Sequence, residues 1–329
     1  MKRLNLSRYA LLNCAAVALL AGCGGAEVSG AAIPTSNVTQ SATTFLSDVG
    51  RIGIAPKYRG LPELYVSDEG AVGGLSPRID ILQNKTYNDI GEISQGIVTP
   101  IGNFLDRHGN LYVADQDAVN VKEYAPGAES PTFTYNAGMI SPEDVSVDRN
   151  GNVFEADSPS NGSDGFVNEY TQGTNNVIHT CDTGFRYVTG VAVDRKGDVF
   201  VDVASQLIEF KGGLSGCLVK LLASLNSGGG MALDKNNNII VADEGNATVD
   251  VIAPPYQTIT NMLGSGYTTP LSVRINRANT LAFVSNLDLE FRGRVFVLQY
   301  PSGTLVTWLD SNNGVYAPFS AVDGPNAVH

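Results

Sequence analysis

Histidine is scarce in this sequence: the 329 residues include three, His108, His179 and His329. The first lies in a predicted hairpin turn, the second in a predicted outer strand and the third at the last position, so no two are expected to meet. The sequence also has no Cys-x-x-Cys pair, no Cys/His zinc spacing, no Gly-x-Ser-x-Gly elbow and no phosphate-binding glycine loop. These absences argue against zinc chemistry, serine hydrolysis and nucleotide binding, and we assign no catalytic residue.

The first 22 residues have the charge pattern of a secretion signal. They carry Lys2, Arg3 and Arg8, no acidic residue, and an apolar run from Tyr9 to Leu20. That run is shorter than the roughly 20 residues that a membrane-spanning helix needs, so it fits a signal peptide. We therefore predict that residues 1–22 are removed on export.

The segment Leu20-Ala21-Gly22-Cys23 resembles the bacterial lipobox, in which cleavage occurs before the cysteine. In that family the thiol carries a diacylglyceryl group and the new amine is usually acylated. The resemblance implies a lipid bilayer as partner, bound through the acyl chains of Cys23, because two or more chains anchor a protein stably. Gly24 follows the cysteine, whereas an Asp at that position would resemble an inner-membrane retention signal. The outer membrane or cell surface is therefore the expected location. The alternative is an ordinary signal peptide with an unmodified Cys23.

The mature chain is expected to be strongly acidic. Removing Lys2, Arg3 and Arg8 from the 21 basic residues leaves 18 against 33 Asp and Glu, a net charge near −15. Such a surface repels phosphate backbones, so nucleic acid is not expected as a partner.

Two cysteines remain free for pairing. Cys14 leaves with the signal peptide and Cys23 is lipidated, which leaves Cys181 and Cys217 in an oxidising compartment. We predict a disulfide between them, with two free thiols as the alternative.

The predicted lipidated N-terminus and flexible tether covers residues 23–58, and residues 59–329 form the predicted folded domain. An internal repeat dominates that domain. Its copies are Asp106-Arg-His-Gly-Asn-Leu-Tyr-Val-Ala-Asp115, Asp148-Arg-Asn-Gly-Asn-Val-Phe-Glu-Ala-Asp157, Asp194-Arg-Lys-Gly-Asp-Val-Phe-Val-Asp-Val203, Asp234-Lys-Asn-Asn-Asn-Ile-Ile-Val-Ala-Asp243 and, more weakly, Asn276 to Asn286. Successive copies begin 42, 46, 40 and 42 residues apart, a period typical of repeat architectures that include propellers.

Each copy predicts four short strands. The Asp-x-x-Gly-Asn turn joins the first two as a hairpin, and Pro or Gly separates two more. The N-terminal unit lacks a convincing first strand, and the segment 317–324 supplies one at the other end of the chain. The sequence therefore predicts an all-β fold: a six-bladed β-propeller with four-stranded antiparallel blades, its ring closed by a C-terminal strand that joins the N-terminal blade.

The strand followed by Asp-x-x-Gly-Asn and Leu-Tyr-Val-Ala-Asp resembles the NHL-type repeat proteins, which are six-bladed propellers. That resemblance covers roughly residues 60–324 and implies architecture more than activity, because propellers include lyases, lactonases, dehydrogenases and pure binding scaffolds. Related lyases rely on histidines that this chain does not bring together. Gluconolactonase-like propellers hold a divalent cation near the channel with Glu, Asn and Asp, but their early Glu-Gly-Pro segment is missing here.

A recurring polar position closes the second strand of each unit. It is occupied by Asp68, Asp115, Asp157, Asp243 and Asn286, whereas Val203 takes the place in one unit and Asp202 lies one residue earlier. By fold symmetry these residues ring one face near the channel mouth, and oxygen ligands suit calcium or magnesium. The alternative is structural, because an Asp after a strand commonly caps the next turn.

From these observations we expect a monomeric, membrane-anchored binding scaffold outside the cytoplasm, without a required cofactor, that recognises a protein, peptide or glycan. The competing hypothesis is a metal-dependent hydrolase or lyase that uses the recurring acidic residues.

Overall fold

A computed structural model of the chain describes residues 53–54, 63–70, 74–288, 290 and 292–323. The predicted signal peptide and Cys23 lie outside the described residues, as does the predicted tether except for Gly53–Ile54. In the described part, the regular structure is β-strand with two short 3-10 turns at Glu244–Asn246 and Ser311–Asn313. No helix of these residues is long and apolar enough to cross a membrane. The prediction of an all-β fold is confirmed.

The recurring Asp-x-x-Gly-Asn segment forms the predicted hairpin turn. In the first copy, the carboxylate of Asp106 accepts hydrogen bonds from the backbone N–H groups of His108 and Asn110, both at 2.8 Å. Gly109 has a φ of 86°, a conformation that glycine adopts without steric penalty. Similar bonds are made by Asp148, Asp194, Asp234 and Asn276. The leading Asp or Asn of each copy therefore fixes the reversal between the first two strands.

The strands group into antiparallel sheets, here labelled A to F in chain order. Sheet A contains β1 (Gly53–Ile54), β2 (Glu63–Asp68), β3 (Arg78–Gln83) and β4 (Asp89–Ile93). Sheet B contains β5 (Pro100–Leu105), β6 (Leu111–Asp115), β7 (Asn120–Tyr124) and β8 (Phe133–Tyr135). Sheet C contains β9 (Pro142–Val147), β10 (Val153–Asp157), β11 (Phe166–Tyr170) and β12 (Val177–Asp182).

The second half of the chain repeats this order. Sheet D contains β13 (Gly190–Val193), β14 (Val199–Asp202), β15 (Gln206–Phe210) and β16 (Val219–Ser224). Sheet E contains β17 (Gly228–Leu233), β18 (Ile239–Asp243), β19 (Thr248–Ile252) and β20 (Asn261–Met262). Sheet F contains β21 (Thr269–Ile275), β22 (Leu281–Leu287), β23 (Gly293–Gln299) and β24 (Thr304–Leu309). A parallel pairing of Gly230 with Ser272 joins sheets E and F into one eight-stranded run.

The last described strand, β25 (Pro318–Asp323), belongs to sheet A. It pairs antiparallel with β2, so that Val322 lies opposite Tyr65. On the other side of the sheet, β1 pairs with β4 and places Gly53 opposite Glu92. Strands from both ends of the described chain therefore build the same sheet.

The first strands of sheets B to F pack beside one another in chain order, as β5 with β9, β9 with β13, β13 with β17 and β17 with β21. The last described strand, β25, packs beside both β21 and β5. Apolar clusters fill the spaces between sheets, and one of them joins sheet A to sheet F through Val66, Ala321 and Phe283. Close approach between first strands explains Gly229 in β17, because a Cβ there would overlap the carbonyl oxygen of Leu271.

Candidate functional site

The five recurring residues at the ends of the second strands are buried, and each bonds to the backbone at or just before the start of another strand. The carboxylate of Asp115 accepts the backbone N–H of Val98 at 3.1 Å and of Thr99 at 2.6 Å. The corresponding pairs of donors are Ile140 and Ser141 for Asp157, Asn226 and Ser227 for Asp243, Thr268 and Thr269 for Asn286, and Tyr316 and Ala317 for Asp68. Each side chain thus holds the backbone at or just before the start of another strand of its own sheet, which is β25 in the case of Asp68.

Several of these carboxylates also make contacts with polar or charged side chains. The ammonium group of Lys122 bonds to Asp115, and the guanidinium of Arg78 lies 3.7 Å from Asp68. The side-chain amide of Asn246 bonds to Asp243 at 3.0 Å. In the described part of the chain, no three His, Cys, Asp or Glu side chains are grouped closely enough to hold a metal ion. The geometry gives each recurring residue a local structural contact.

Asp202 is the exception in sheet D. It lies at the end of β14, its side chain is fully buried, and neither carboxylate oxygen makes a hydrogen bond. Burial, together with the negative charges of Asp243 and Glu244, raises the pKa of Asp202 well above its usual range. The sequence shows that this Asp is displaced by one position from the repeat, but it does not show that its carboxyl group is buried without a partner.

Two glutamates directly follow the recurring aspartates and have raised pKa values. Burial, with the charges of Asp117 and Asp68, raises the pKa of Glu69 to about 7. Burial and the neighbouring Asp243 raise the pKa of Glu244 to about 8. Both side chains are partly exposed to solvent, so they can exchange protons near neutral pH. The sequence signal for both is their position directly after a recurring Asp, and neither was among the predicted site residues.

A buried arginine connects the first strands of several sheets. Arg274 of β21 donates hydrogen bonds to the carbonyl oxygens of Asn103 in β5 at 2.9 Å and Met231 in β17 at 2.6 Å. Its guanidinium also forms an ion pair with Asp144 of β9. Burial raises the pKa of Asp144, and Arg274 opposes that rise. Four first strands are therefore tied together by one side chain, which no repeated motif predicts.

Comparison with known proteins identifies the architecture. No protein-family model matches the chain, and no curated protein matches it. Among solved structures, a Bacteroides caccae protein of unknown function superposes with a TM-score of 0.62 at 13% identity, covering 80% of this chain and 99% of that one. The nidogen/laminin complex gives a TM-score of 0.62 at 16% identity, covering 80% of this chain and 98% of that chain. The fold is a β-propeller.

A third solved structure, a functionally unknown protein from Desulfotomaculum acetoxidans, gives a TM-score of 0.51 at 17% identity. It covers 76% of this chain and 80% of that chain. At these identities the likeness concerns the propeller fold alone, so function must be argued from this chain's own residues.

The disulfide joins two neighbouring sheets of the propeller at their outer strands. Cys181 lies in β12, the outer strand of sheet C, and Cys217 lies two residues before β16, the outer strand of sheet D. Their Cα atoms are 5.2 Å apart, within the usual range for a disulfide. The predicted pairing is confirmed.

Proposed function

We propose that this protein is an exported lipoprotein whose propeller acts as a binding scaffold, held at the membrane by acyl chains on Cys23. The scaffold proposal rests on the hydrogen-bond partners of the buried polar side chains. The recurring residues from Asp68 to Asn286 bond to backbone N–H groups, and Arg274 bonds to neighbouring first strands. Because these buried groups stabilise the fold, we place ligand recognition on the loops and on the outer strands at the rim of the propeller.

The scaffold is a ring of six blades closed by β25. The neighbour relations of the first strands support this, since they run from β5 through β21 to β25 and back to β5. Asp68 adds a second line of support, because it accepts N–H bonds from Tyr316 and Ala317, just before β25. Asp115 bonds in the same way to the residues just before β5. By this comparison β25 occupies the place of a first strand in the N-terminal blade.

The ligand class is a protein, a peptide or a glycan. Large apolar side chains on the outer strands, or directly before one in the case of Leu218, support this, because exposed apolar groups favour contact with a partner. Leu218 is 77% exposed, Val306 53% and Trp308 47%. The guanidinium of Arg294 lies 5.5 Å from the Trp308 ring centroid, which gives this position both an aromatic and a cationic group.

Binding is tested by placing a photo-crosslinking residue at Trp308 of the full-length protein in its native envelope. A reproducible crosslinked species at this position, absent when the residue is placed at Thr304, the exposed polar residue at the start of the same strand, supports recognition at the rim. The same experiment at Leu218 examines the blade of sheet D. Equal labelling at the apolar and polar positions, or none at any position, would overturn the rim assignment.

The anchor is tested by Cys23→Ser. The variant should lose labelling by a palmitate analogue and leave the membrane fraction, while the propeller keeps its melting temperature. Continued labelling of the variant would show that Cys23 is not the lipid-bearing residue.

A further inference from the structure

Asp202 lies at the contact between sheets D and E. Phe200, two residues earlier on the same side of β14, packs in the apolar cluster that contains Met231 and Val241 of sheet E. The Asp202 carboxylate lies against Gly228 at the start of β17, so closely that a Cβ at that glycine would overlap it. A carboxyl group is thus enclosed where the chain begins its next sheet.

No group in this contact neutralises a negative charge on Asp202. The hydroxyl of Thr189 and the backbone N–H of Ala204 lie near enough to favour the ionised form, but neither carboxylate oxygen of Asp202 has a partner at full hydrogen-bond geometry. The charged groups that act on Asp202 from sheet E are Asp243 and Glu244, and both are acidic. An ionised carboxylate enclosed in this way is strongly disfavoured, whereas the neutral acid is tolerated.

The fold does not require an acid at this position. In the other sheets the residue before the recurring Asp or Asn is Ser67, Ala114, Ala156, Ala242 or Ser285. All are small and uncharged, and all occupy the same place on the second strand. The acid at Asp202 is therefore specific to the contact between sheets D and E.

We propose that Asp202 is a proton-binding site that couples pH to the contact between sheets D and E. As a neutral acid it packs against Gly228. Once ionised, it repels Asp243, which holds the loop at Asn226 and Ser227 through two backbone bonds. The backbone bond from Gly228 to the carbonyl of Ala204, at 2.5 Å, lies at the same point. Loss of the proton therefore loosens the start of β17.

A proton fits this site better than a metal ion. Calcium and magnesium need several oxygen ligands around one point, and no such group of three acidic or histidine side chains occurs among the described residues. The two occupants are separable by experiment, because only a metal ion makes stability depend on added cation or chelator at constant pH.

The sign of the effect follows from the raised pKa of Asp202. An unfolded Asp titrates near pH 4, so above that pH the unfolded chain releases this proton while the folded chain retains it. The folded state then binds more protons, and its stability falls as pH rises until the folded pKa is passed. Below about pH 4 both states are protonated and the contribution is fully present.

The test compares the melting temperature of the full chain with that of Asp202→Ala between pH 4 and pH 9, in the presence of a chelator. Alanine is the residue found at this place in sheets B, C and E. We expect the variant to melt above the wild type at pH 8 and the difference to shrink steadily toward pH 4. Asp202→Asn provides a second neutral variant should alanine fail to fold.

The control is Asp164→Asn, which removes an exposed acid and should keep the wild-type pH profile. Parallel pH profiles for the wild type and both Asp202 variants would overturn the proposal. A wild-type stabilisation by added calcium or magnesium at pH 8 that Asp202→Ala abolishes would overturn the proton as occupant.

Hydrogen exchange locates the effect. Residues 225–230 should exchange faster in the wild type than in Asp202→Ala at pH 8, with the difference absent at pH 4. Between the unfolded and the folded pKa of Asp202, each pH unit should widen the ratio of the wild-type exchange rate to the variant exchange rate by up to about tenfold. Equal exchange of this segment in both proteins at pH 8 would show that the contact does not respond to Asp202.

Discussion

Arg274 and Asp144 form a buried ion pair across 130 residues of sequence. The pair joins β21 to β9, and the same guanidinium bonds to backbone carbonyls of β5 and β17. One cation on β21 therefore makes polar contacts with strands of three other sheets. Arg274 is therefore one of the residues that hold the propeller together, and the repeat pattern does not reveal this role.

Replacing Arg274 by Met should destabilise the protein strongly. The change leaves Asp144 buried without its cation, and breaking a buried pair by removing one partner costs about 3–5 kcal/mol of unfolding free energy. Adding Asp144→Asn should recover part of this loss, because the unpaired charge is then gone. Urea unfolding of the two single variants and the double variant measures the coupling. Strictly additive losses would contradict a direct pair.

The sequence predicted the features that are local to one repeat. The turn at Asp106 and the strand pairing that follows depend on residues within ten positions, so each copy carries its own signal. The Cys181–Cys217 pairing was predictable by elimination of the other cysteines. The other contacts between sheets were not predictable in this way. Arg274 and the buried Asp202 depend on how distant strands approach one another, and neither residue recurs at its place in the other copies.

The same distinction between local signals and more distant contacts applies to the recurring acidic residues. Their spacing predicted that Asp115 and its counterparts lie at equivalent places in successive sheets. It left open whether they face a shared cation or their own backbone. That choice depends on the loop before each first strand, where Val98 and Thr99 present two N–H groups to Asp115.

Removing the disulfide should lower stability by an amount set by the loop that it closes. Cys181 and Cys217 are 36 residues apart, and the chain-entropy model gives about 3–4 kcal/mol for a loop of this length. Cys181→Ala with Cys217→Ala avoids a lone reactive thiol, and urea unfolding measures the loss. Reduction of the wild type should reproduce it. Alkylation of both cysteines in unreduced protein from the cell envelope would show that the bridge is not formed there.

Deleting residues 314–329 should destabilise the propeller severely. The deletion removes β25, exposes the edge of β2 and takes away the Tyr316 and Ala317 donors of Asp68. A loss of several kcal/mol lowers the melting temperature by roughly 10 °C or more in a domain of this size. Deleting residues 325–329 alone removes no described strand and serves as the control. If both truncations melt within a few degrees of the full chain, β25 is not needed to close the fold.

Asp157 distinguishes a structural from a cation-binding role of the recurring acids. Asparagine performs the same task in sheet F, where Asn286 accepts the N–H groups of Thr268 and Thr269 at 2.8 and 3.0 Å. Asp157→Asn should therefore keep the bonds to Ile140 and Ser141 and cost no more than about 1 kcal/mol, since a neutral acceptor is somewhat weaker than a charged one. It also removes a negative charge that raises the pKa of the neighbouring Glu155.

Asp157→Ala should cost about 1–3 kcal/mol, because it leaves the buried N–H of Ser141 without an acceptor. Thermal unfolding of the wild type and both variants, with and without calcium, separates the two roles. Loop capping predicts the order wild type, Asn, Ala in melting temperature and no response to calcium. A cation site predicts that calcium raises the wild-type melting temperature and that both variants lose this rise, because the amide that replaces the carboxylate lacks the charge that binds the ion.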